Sequence, residues 1–215
     1  MKQGLIFDLD GTLVDSLEGI AASLNFALAS SALPIHGLHA VRRYIGNGAR
    51  ILIQRGCPAG SGDPLLDTVE QLFKSHYDLT WSSGTFAYNG IIELLESLQD
   101  RGCPLAVLSN KPHRFTETIV SQLFPGIRFA SVLGQRTGVP HKPDPTGALE
   151  ISKIFNRKPE NCIVIGDSVM DLETASNAGM HAIAVMWGFH DRDRLVEAGA
   201  KRIAANPKQL LELLS

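Results

Sequence analysis

The sequence has few cysteines, and they are not spaced for pairing. Cys57, Cys103 and Cys162 are the only three, and no C-x-x-C pair occurs. A disulfide framework and a zinc site both need grouped or paired cysteines, so neither is supported. We expect three reduced thiols.

The chain also lacks an excess of one charge and a long apolar run. It has 20 basic and 22 acidic residues, a formal net charge of −2, so no nucleic-acid partner is expected. No apolar stretch reaches the roughly 18 residues needed to cross a bilayer, and the N-terminal apolar segment is too short and too soon acidic for a signal peptide. These absences predict a cytoplasmic protein with no membrane partner.

The remaining composition predicts a folded α/β protein. The 215 residues are 44% hydrophobic, enough for a large core. Apolar runs of strand length occur at residues 5–7, 105–108, 162–165 and 182–186, with weaker candidates at 129–133 and 202–204, and helix-like stretches lie between them. Continuous apolar strands that alternate with helices predict a doubly wound parallel sheet, a Rossmann-like core covered on both faces.

Residues 15–84 break this alternation. An apolar stripe with helical spacing begins at Leu17 and Ile20 and recurs as far as His76. We therefore predict a small all-helical domain inserted after the first strand. Residues 1–14 and 85–215 would form the α/β domain, and residues 15–84 the helical one, with linkers near Asp15 and Gly84.

Two aspartates follow the first predicted strand. Asp8 and Asp10 are two positions apart, so they project to the same side if the chain stays extended, and Gly11 lets the backbone turn close to a ligand. Unpaired buried carboxylates are costly and normally pair or bind metal. A functional site explains this pair better than a structural role does.

Polar residues follow the later strands as well. Ser109, Asn110 and Lys111 follow the run 105–108, and Asp167 and Asp171 follow 162–165. Lys142 lies in the segment 141–145, His-Lys-Pro-Asp-Pro, whose two prolines stiffen the chain around it. Ligands of open parallel sheets bind at the carboxyl ends of the strands, so we expect these residues to converge. A simpler interpretation stays open for two of them, since Asp171 could cap a helix and Ser109 could cap the backbone that follows it.

Four aspartates around one lysine need a cation, and Mg²⁺ fits best. Magnesium prefers oxygen ligands and commonly binds one or two carboxylates together with a substrate phosphate. Asp8 and Asp167 are the candidate direct ligands. Asp10 is expected to bind through its main-chain carbonyl, and Asp171 to orient Asp167 or a bound water.

In order along the chain, these residues resemble the four motifs of the haloacid dehalogenase superfamily. The motifs are Asp8-Leu9-Asp10-Gly11-Thr12, Ser109-Asn110, Lys142-Pro143, and Gly166-Asp167-Ser168 with Asp171. Residues 44–49, Tyr-Ile-Gly-Asn-Gly-Ala, resemble the cap segment of phosphoglycolate phosphatases, and the tail segments 187–189, 197–200 and 206–207 resemble the same group.

The resemblance implies a Mg²⁺-dependent phosphatase with an aspartyl-phosphate intermediate. Asp8 would be the nucleophile and Asp10 the general acid and base, while Ser109 and Lys142 would hold the phosphoryl group. Asn110 and the backbone N–H groups of Leu9 and Gly11 would also bind substrate.

Substrate choice is expected to come from the helical cap. Gly46, Asn47 and Gly48 form a flexible loop, and Arg43 and Arg50 flank it as potential carboxylate ligands, which suits a small phosphorylated acid such as 2-phosphoglycolate. The alternative is that the glycines only join two helices and both arginines face water.

Two other functions remain open at this point. A phosphosugar mutase would use the same core, and a non-catalytic protein could bind phosphorylated metabolites. The sequence fits a monomer or a homodimer equally well.

Overall fold

The computed structural model describes residues 2–215. The strands are β1 (Gly4–Phe7), β2 (Val14–Asp15), β3 (Phe86–Ala87), β4 (Leu105–Pro112), β5 (Phe129–Gln135), β6 (Cys162–Gly166), β7 (His181–Val185) and β8 (Ile203–Ala204). The helices are α1 (Leu17–Ser30), α2 (Leu38–Tyr44), α3 (Ala49–Gly56), α4 (Asp63–Thr80), α5 (Ile91–Asp100), α6 (His113–Leu123), α7 (Thr146–Ile154), α8 (Val169–Ala178), α9 (Arg192–Glu197) and α10 (Pro207–Leu213). Short 3₁₀ turns cover Trp81–Ser83 and Pro159–Asn161.

Six strands form one parallel sheet in the order β5-β4-β1-β6-β7-β8. Counted along the chain, this is the 3-2-1-4-5-6 order of doubly wound folds, whose direction reverses at the first strand. The predicted fold class is confirmed. The fourth strand continues four residues past its predicted end, so Ser109, Asn110 and Lys111 lie within β4.

The sheet is buried on both faces, as the continuous apolar strands predict. Every residue of β1 is buried, and Ile6 packs with Val164 of β6 in a cluster that also contains Ile151 of α7 and Ala175 of α8. Because β1 lies in the middle of the sheet, the residues that follow it are held on both sides by paired strands. The carboxyl end of β1 is therefore a rigid place for a site.

The chain folds as two compact units. One comprises the chain up to Val14 together with Ala87–Ser215, and the other is Asp15–Phe86. The second boundary lies two residues beyond the predicted one, because residues 86–87 form β3 and pair with β2. The two linkers are thus a short paired ribbon, which is too brief to predict from periodicity.

The unit Asp15–Phe86 is helical. Helix α1 packs along α4, burying Leu24 and Leu28 on one helix and Val69 and Phe73 on the other. These positions follow the stripe read from the sequence, since apolar residues three and four apart share a helix face.

The described residues contain neither a candidate membrane-spanning helix nor a disulfide. None of the helices in residues 2–215 combines the length and apolar character needed to span a bilayer. The thiols of Cys57, Cys103 and Cys162 are all free.

Candidate active site

The site lies at the carboxyl ends of β1 and β6, where the strand order reverses. The Asp8 N–H donates to the Ile165 carbonyl at 2.9 Å, which continues the β1–β6 ladder by one residue. The pairing brings Asp8 beside the end of β6, which Asp167 follows directly. Asp8 and Asp167 are distant in sequence, but they lie side by side because the strands that they follow, β1 and β6, are paired.

Three buried aspartates form a cluster here. Asp8, Asp167 and Asp171 each offer a carboxylate oxygen, and the three atoms lie within 4.8 Å of one another. At such distances their charges repel strongly in a buried environment unless a cation lies among them.

Lys142 provides one positive charge. Its Nζ lies 2.8 Å from Asp8 Oδ1 and 2.7 Å from Asp171 Oδ1, and it also donates to the Leu108 carbonyl at 3.1 Å. Burial lowers the pKa of Lys142, but Asp171 and Asp8 outweigh it, so the net pKa lies above its usual value. The ammonium stays charged and ties the end of β1 to the start of α8.

The carboxylates still carry excess negative charge. Burial raises the pKa of Asp8 to about 7, and the favourable contact with Lys142 offsets this only in part. Burial, reinforced by Asp8 and Asp171, raises the pKa of Asp167 to about 8. When all three carboxylates are ionised, they and the one ammonium carry two net negative charges, which one divalent cation would balance. An all-oxygen donor set of this kind suits magnesium.

Asp167 and Asp171 are held by different neighbours. Asp167 Oδ2 accepts the Phe189 N–H at 2.6 Å, and its Oδ1 accepts the Thr12 hydroxyl at 3.3 Å. Asp171 Oδ2 accepts the N–H and the hydroxyl of Ser168 at 3.1 and 2.6 Å, forming a capping box at the start of α8. Asp171 therefore caps a helix and contacts Lys142 with the same carboxylate.

Asn110 holds the backbone of Lys142. Its Oδ1 accepts the Lys142 N–H at 2.8 Å, and its Nδ2 donates to the Lys142 carbonyl at 3.1 Å. Asn110 was expected among the substrate-binding residues, and the structure instead uses both ends of its amide to position the lysine. A planar amide fits this task because it donates and accepts side by side.

Asp10 has its own cation, Lys111, which the sequence analysis expects at this edge of the sheet but to which it assigns no role. Lys111 Nζ lies 3.0 Å from Asp10 Oδ1 and 3.1 Å from Oδ2. Ser109, on the same strand, is buried, and its hydroxyl oxygen accepts the Lys111 N–H at 3.2 Å. The available signal was the alternation of strand residues, which places positions 109 and 111 on one side of β4.

Glycines allow the loops of the site to approach closely. Gly11 has a φ of +86°, and a Cβ there would lie 2.3 Å from Asp167 Oδ2. A Cβ on Gly188 would lie 2.2 Å from the Gly11 carbonyl oxygen. The Gly11 N–H, expected to donate to phosphate, donates to the Val14 carbonyl at 2.8 Å, so it serves the turn instead. The neighbouring Leu9 is buried, and its carbonyl accepts three N–H groups of that turn.

In the helical unit, the predicted specificity loop joins α2 to α3. Gly46 and Gly48 have φ angles of +119° and +82°, which favour glycine, and Asn47 lies between them. Arg43 is exposed on α2, where its Nη1 lies 3.1 Å from His39 Nε2.

Arg50 is not a free carboxylate ligand, contrary to expectation. Its guanidinium contacts Asp63 at 2.8 Å, Asp67 at 2.6 Å and Glu70 at 3.3 Å. These acids are spaced by four and three residues on α4, so they share one helix face. That spacing is visible in the sequence and could have identified the partner.

The haloacid dehalogenase-like hydrolase family model matches residues 5–185, a range that includes Asp8, Lys142 and Asp167. The chain belongs to the haloacid dehalogenase-like hydrolase family. The predicted resemblance to this family is thereby confirmed.

Relatives of known name and structure agree with this assignment. The chain is 32% identical over 212 residues to phosphoglycolate phosphatase 1 of Pseudomonas aeruginosa, covering 96% of this chain and 78% of that protein. It is 33% identical over 193 residues to the phosphoglycolate phosphatase of Mesorhizobium japonicum, covering 87% and 84%. A crystal structure from Lactobacillus delbrueckii subsp. bulgaricus superposes with a TM-score of 0.94 at 29% identity, covering 100% of this chain and 99% of the other. The predicted enzyme class, a phosphatase, is confirmed.

Proposed function

We propose that this haloacid dehalogenase-like phosphatase is a Mg²⁺-dependent phosphomonoester hydrolase that acts through an aspartyl-phosphate on Asp8. The observation that carries the proposal is the buried cluster of Asp8, Asp167 and Asp171, with Lys142 2.8 Å from Asp8. Its two uncompensated negative charges fit a divalent cation. A purely structural ion pair would be stabler without these uncompensated buried charges, since each is costly to bury.

Asp8 and Asp167 would hold the cation directly, with the Asp10 main-chain carbonyl as a further oxygen. Asp171 would stay outside the metal's coordination sphere, because its carboxylate already joins the Lys142 ammonium to the start of α8. When bound, magnesium would neutralise the charge between the anionic substrate and the anionic nucleophile.

Each catalytic residue would have a separate role in the reaction. Asp8 attacks phosphorus, Asp10 protonates the departing oxygen, and Asp10 then removes a proton from the water that hydrolyses the aspartyl-phosphate. Lys142, already within 2.8 Å of the nucleophile, holds Asp8 and the phosphoryl oxygens while charge redistributes. Ser109 and the Leu9 N–H are further candidate phosphoryl contacts.

The proposed substrate is a small phosphorylated acid, with 2-phosphoglycolate as the first candidate. The names of the curated relatives support this choice, and so does the glycine loop of residues 46–48 with Arg43 beside it. In this proposal the core recognises phosphate and the helical unit recognises the acid. Arg50 takes no part, since α4 already neutralises it.

A phosphate-release screen tests the proposal. The protein is incubated with Mg²⁺ and with phosphorylated acids, sugar phosphates, nucleotides and pyrophosphate, and inorganic phosphate is measured. We expect release to be fastest from 2-phosphoglycolate and to stop with EDTA until Mg²⁺ is restored. Activity that survives thorough chelation would refute the metal requirement. Isomer formation without phosphate release would identify a mutase, and binding without turnover a non-catalytic protein.

Asp8→Asn tests the nucleophile. The change is nearly isosteric and removes one of the crowded charges, so we expect a folded protein without turnover. Asp193→Asn is the matched control, because Asp193 is exposed on α9. Normal turnover by the Asp8 variant, with deamidation excluded by mass spectrometry, would contradict the assignment.

A further inference from the structure

Each of the two aspartates after β1 has its own buried lysine. Lys142 pairs with Asp8, and Lys111 pairs with Asp10 through both carboxylate oxygens. The side chain of Lys111 is 6% exposed and that of Asp10 13%. Burying such a pair costs desolvation and side-chain entropy, so stability alone is a weak reason for keeping it.

The backbone around Lys111 is also fixed. The Lys111 N–H donates to Ser109 Oγ, and its carbonyl accepts the Thr116 hydroxyl at 3.2 Å. A Cβ on Gly134 of β5 would lie 2.6 Å from that carbonyl oxygen, so the neighbouring strand lies directly against it. The ammonium of Lys111 therefore extends from a rigid strand end to a carboxylate on the adjacent strand end.

We propose that Lys111 is a positioning residue that holds the Asp10 carboxylate by both oxygens at the reacting phosphoryl group. This inference rests on the proposed function, in which Asp10 is the general acid and base. Two contacts from one ammonium fix the carboxylate more closely than one contact does. Lys111 would act through Asp10 without touching the substrate.

Lys111 would act in both steps of the reaction by holding the Asp10 carboxylate. As the bond from Asp8 to phosphorus forms and the ester P–O bond breaks, the departing oxygen takes the bonding electron pair and the proton of Asp10. Lys111 then stabilises the Asp10 carboxylate that remains. In the second step this carboxylate takes a proton from water as the water oxygen bonds to phosphorus and Asp8 is released.

Leaving-group dependence separates this role from a structural one. An alkyl phosphate needs protonation of its departing oxygen, whereas p-nitrophenyl phosphate departs as a stable anion and needs little. We expect Lys111→Met to lower kcat/KM for the alkyl ester by about 10²-fold, the lower end of a general acid's usual contribution, and for the aryl ester by a much smaller factor. Lys111→Arg should restore part of the alkyl activity. Lys158→Met is the control, because Lys158 is exposed.

A double variant tests whether Lys111 acts through Asp10. If it does, Lys111→Met should have little further effect on kcat/KM once Asp10→Asn is present. The double variant also leaves no charge of the pair buried alone, so it and Lys111→Arg keep the test available if the single Lys111→Met protein does not fold.

The possible failures are distinguishable. Equal losses on both esters, or a full effect of Lys111→Met in the Asp10→Asn background, would overturn the role of Lys111 while leaving the phosphatase proposal intact. Failure of the wild-type protein to turn over either ester or any member of the metabolite panel would overturn the proposed function, and this inference with it.

Discussion

Gly188→Ala should disable the metal site without removing a charged group. The new Cβ would lie 2.2 Å from the Gly11 carbonyl oxygen, 2.3 Å from Asp167 Cβ and 2.4 Å from Asp167 Oδ2. Ordinary contact begins near 3.4 Å, so these atoms must separate by about 1 Å. Two of the three belong to the backbone or to the base of a side chain, so a change of rotamer cannot relieve the clash.

The expected loss follows from that displacement. A shift of about 1 Å in a catalytic constellation costs about 10²-fold in rate, and disturbed support of a metal ligand about 10- to 100-fold in metal affinity. Overpacking should also lower the free energy of unfolding by about 1–3 kcal/mol. Mg²⁺ affinity is measured by calorimetry and stability by thermal melting, neither of which requires the substrate to be known.

Gly126→Ala is the matched control. A Cβ at Gly126 meets nothing within 4 Å, and neither Gly126 nor Gly188 has a positive φ, so the two substitutions differ mainly in packing. Equal Mg²⁺ affinity in the two variants would refute the reasoning, because it would mean that Asp167 does not depend on the close approach of the 187–189 segment.

Two further predictions concern Lys142 and the acid cluster. Asn110→Ala removes two hydrogen bonds to the Lys142 backbone, so turnover should fall while Mg²⁺ affinity stays nearly unchanged. Each lost hydrogen bond should lower the free energy of unfolding by about 0.5–1.5 kcal/mol. A large loss of Mg²⁺ affinity would contradict the positioning role of Asn110. The pKa values of Asp8 and Asp167 are raised in the folded protein to about 7 and about 8 from 3.8, so between about pH 4 and pH 8 the folded state holds protons that the unfolded chain has released. The Tm of the metal-free protein should therefore fall as the pH rises through this window, and a fall of the same size in Asp167→Asn would refute the contribution of that residue.

The parallel sheet could be predicted because its central strands are continuous apolar runs in the sequence. All of β1 and β6 and the last three residues of β7 are buried, so their apolar runs are easily recognised in the sequence. The end of β4 was missed because it carries Ser109, Asn110 and Lys111, whose polarity is typical of a loop. Strands of two residues, such as β2 and β3, are too short to show any period.

The site could be predicted as a set of residues, but only partly as a set of contacts. Asp8 and Asp167 directly follow strand ends, and parallel strands bring such ends together, while Lys142 lies in the loop between β5 and α7. Lys111 was expected at the same edge of the sheet, but its pairing with Asp10 was not predicted, because the sequence does not show that β4 lies beside β1. Asn110 was predicted to bind substrate because a side-chain amide can hydrogen-bond either a phosphate or a backbone. The sequence alone does not show which of the two lies within hydrogen-bond distance.

The central position of β1 determines when the protein can mature during synthesis. Leu5 pairs with Leu105 on one side and with Ile163 on the other, so β1 is synthesised well before either of the strands that it pairs with. A nascent chain that ends before β6 presents an unpaired strand edge and lacks Asp167, so it has neither a complete sheet nor a complete site. Premature termination between β1 and β6 therefore yields an inactive fragment with an unpaired strand edge, which is a substrate for chaperones and proteases.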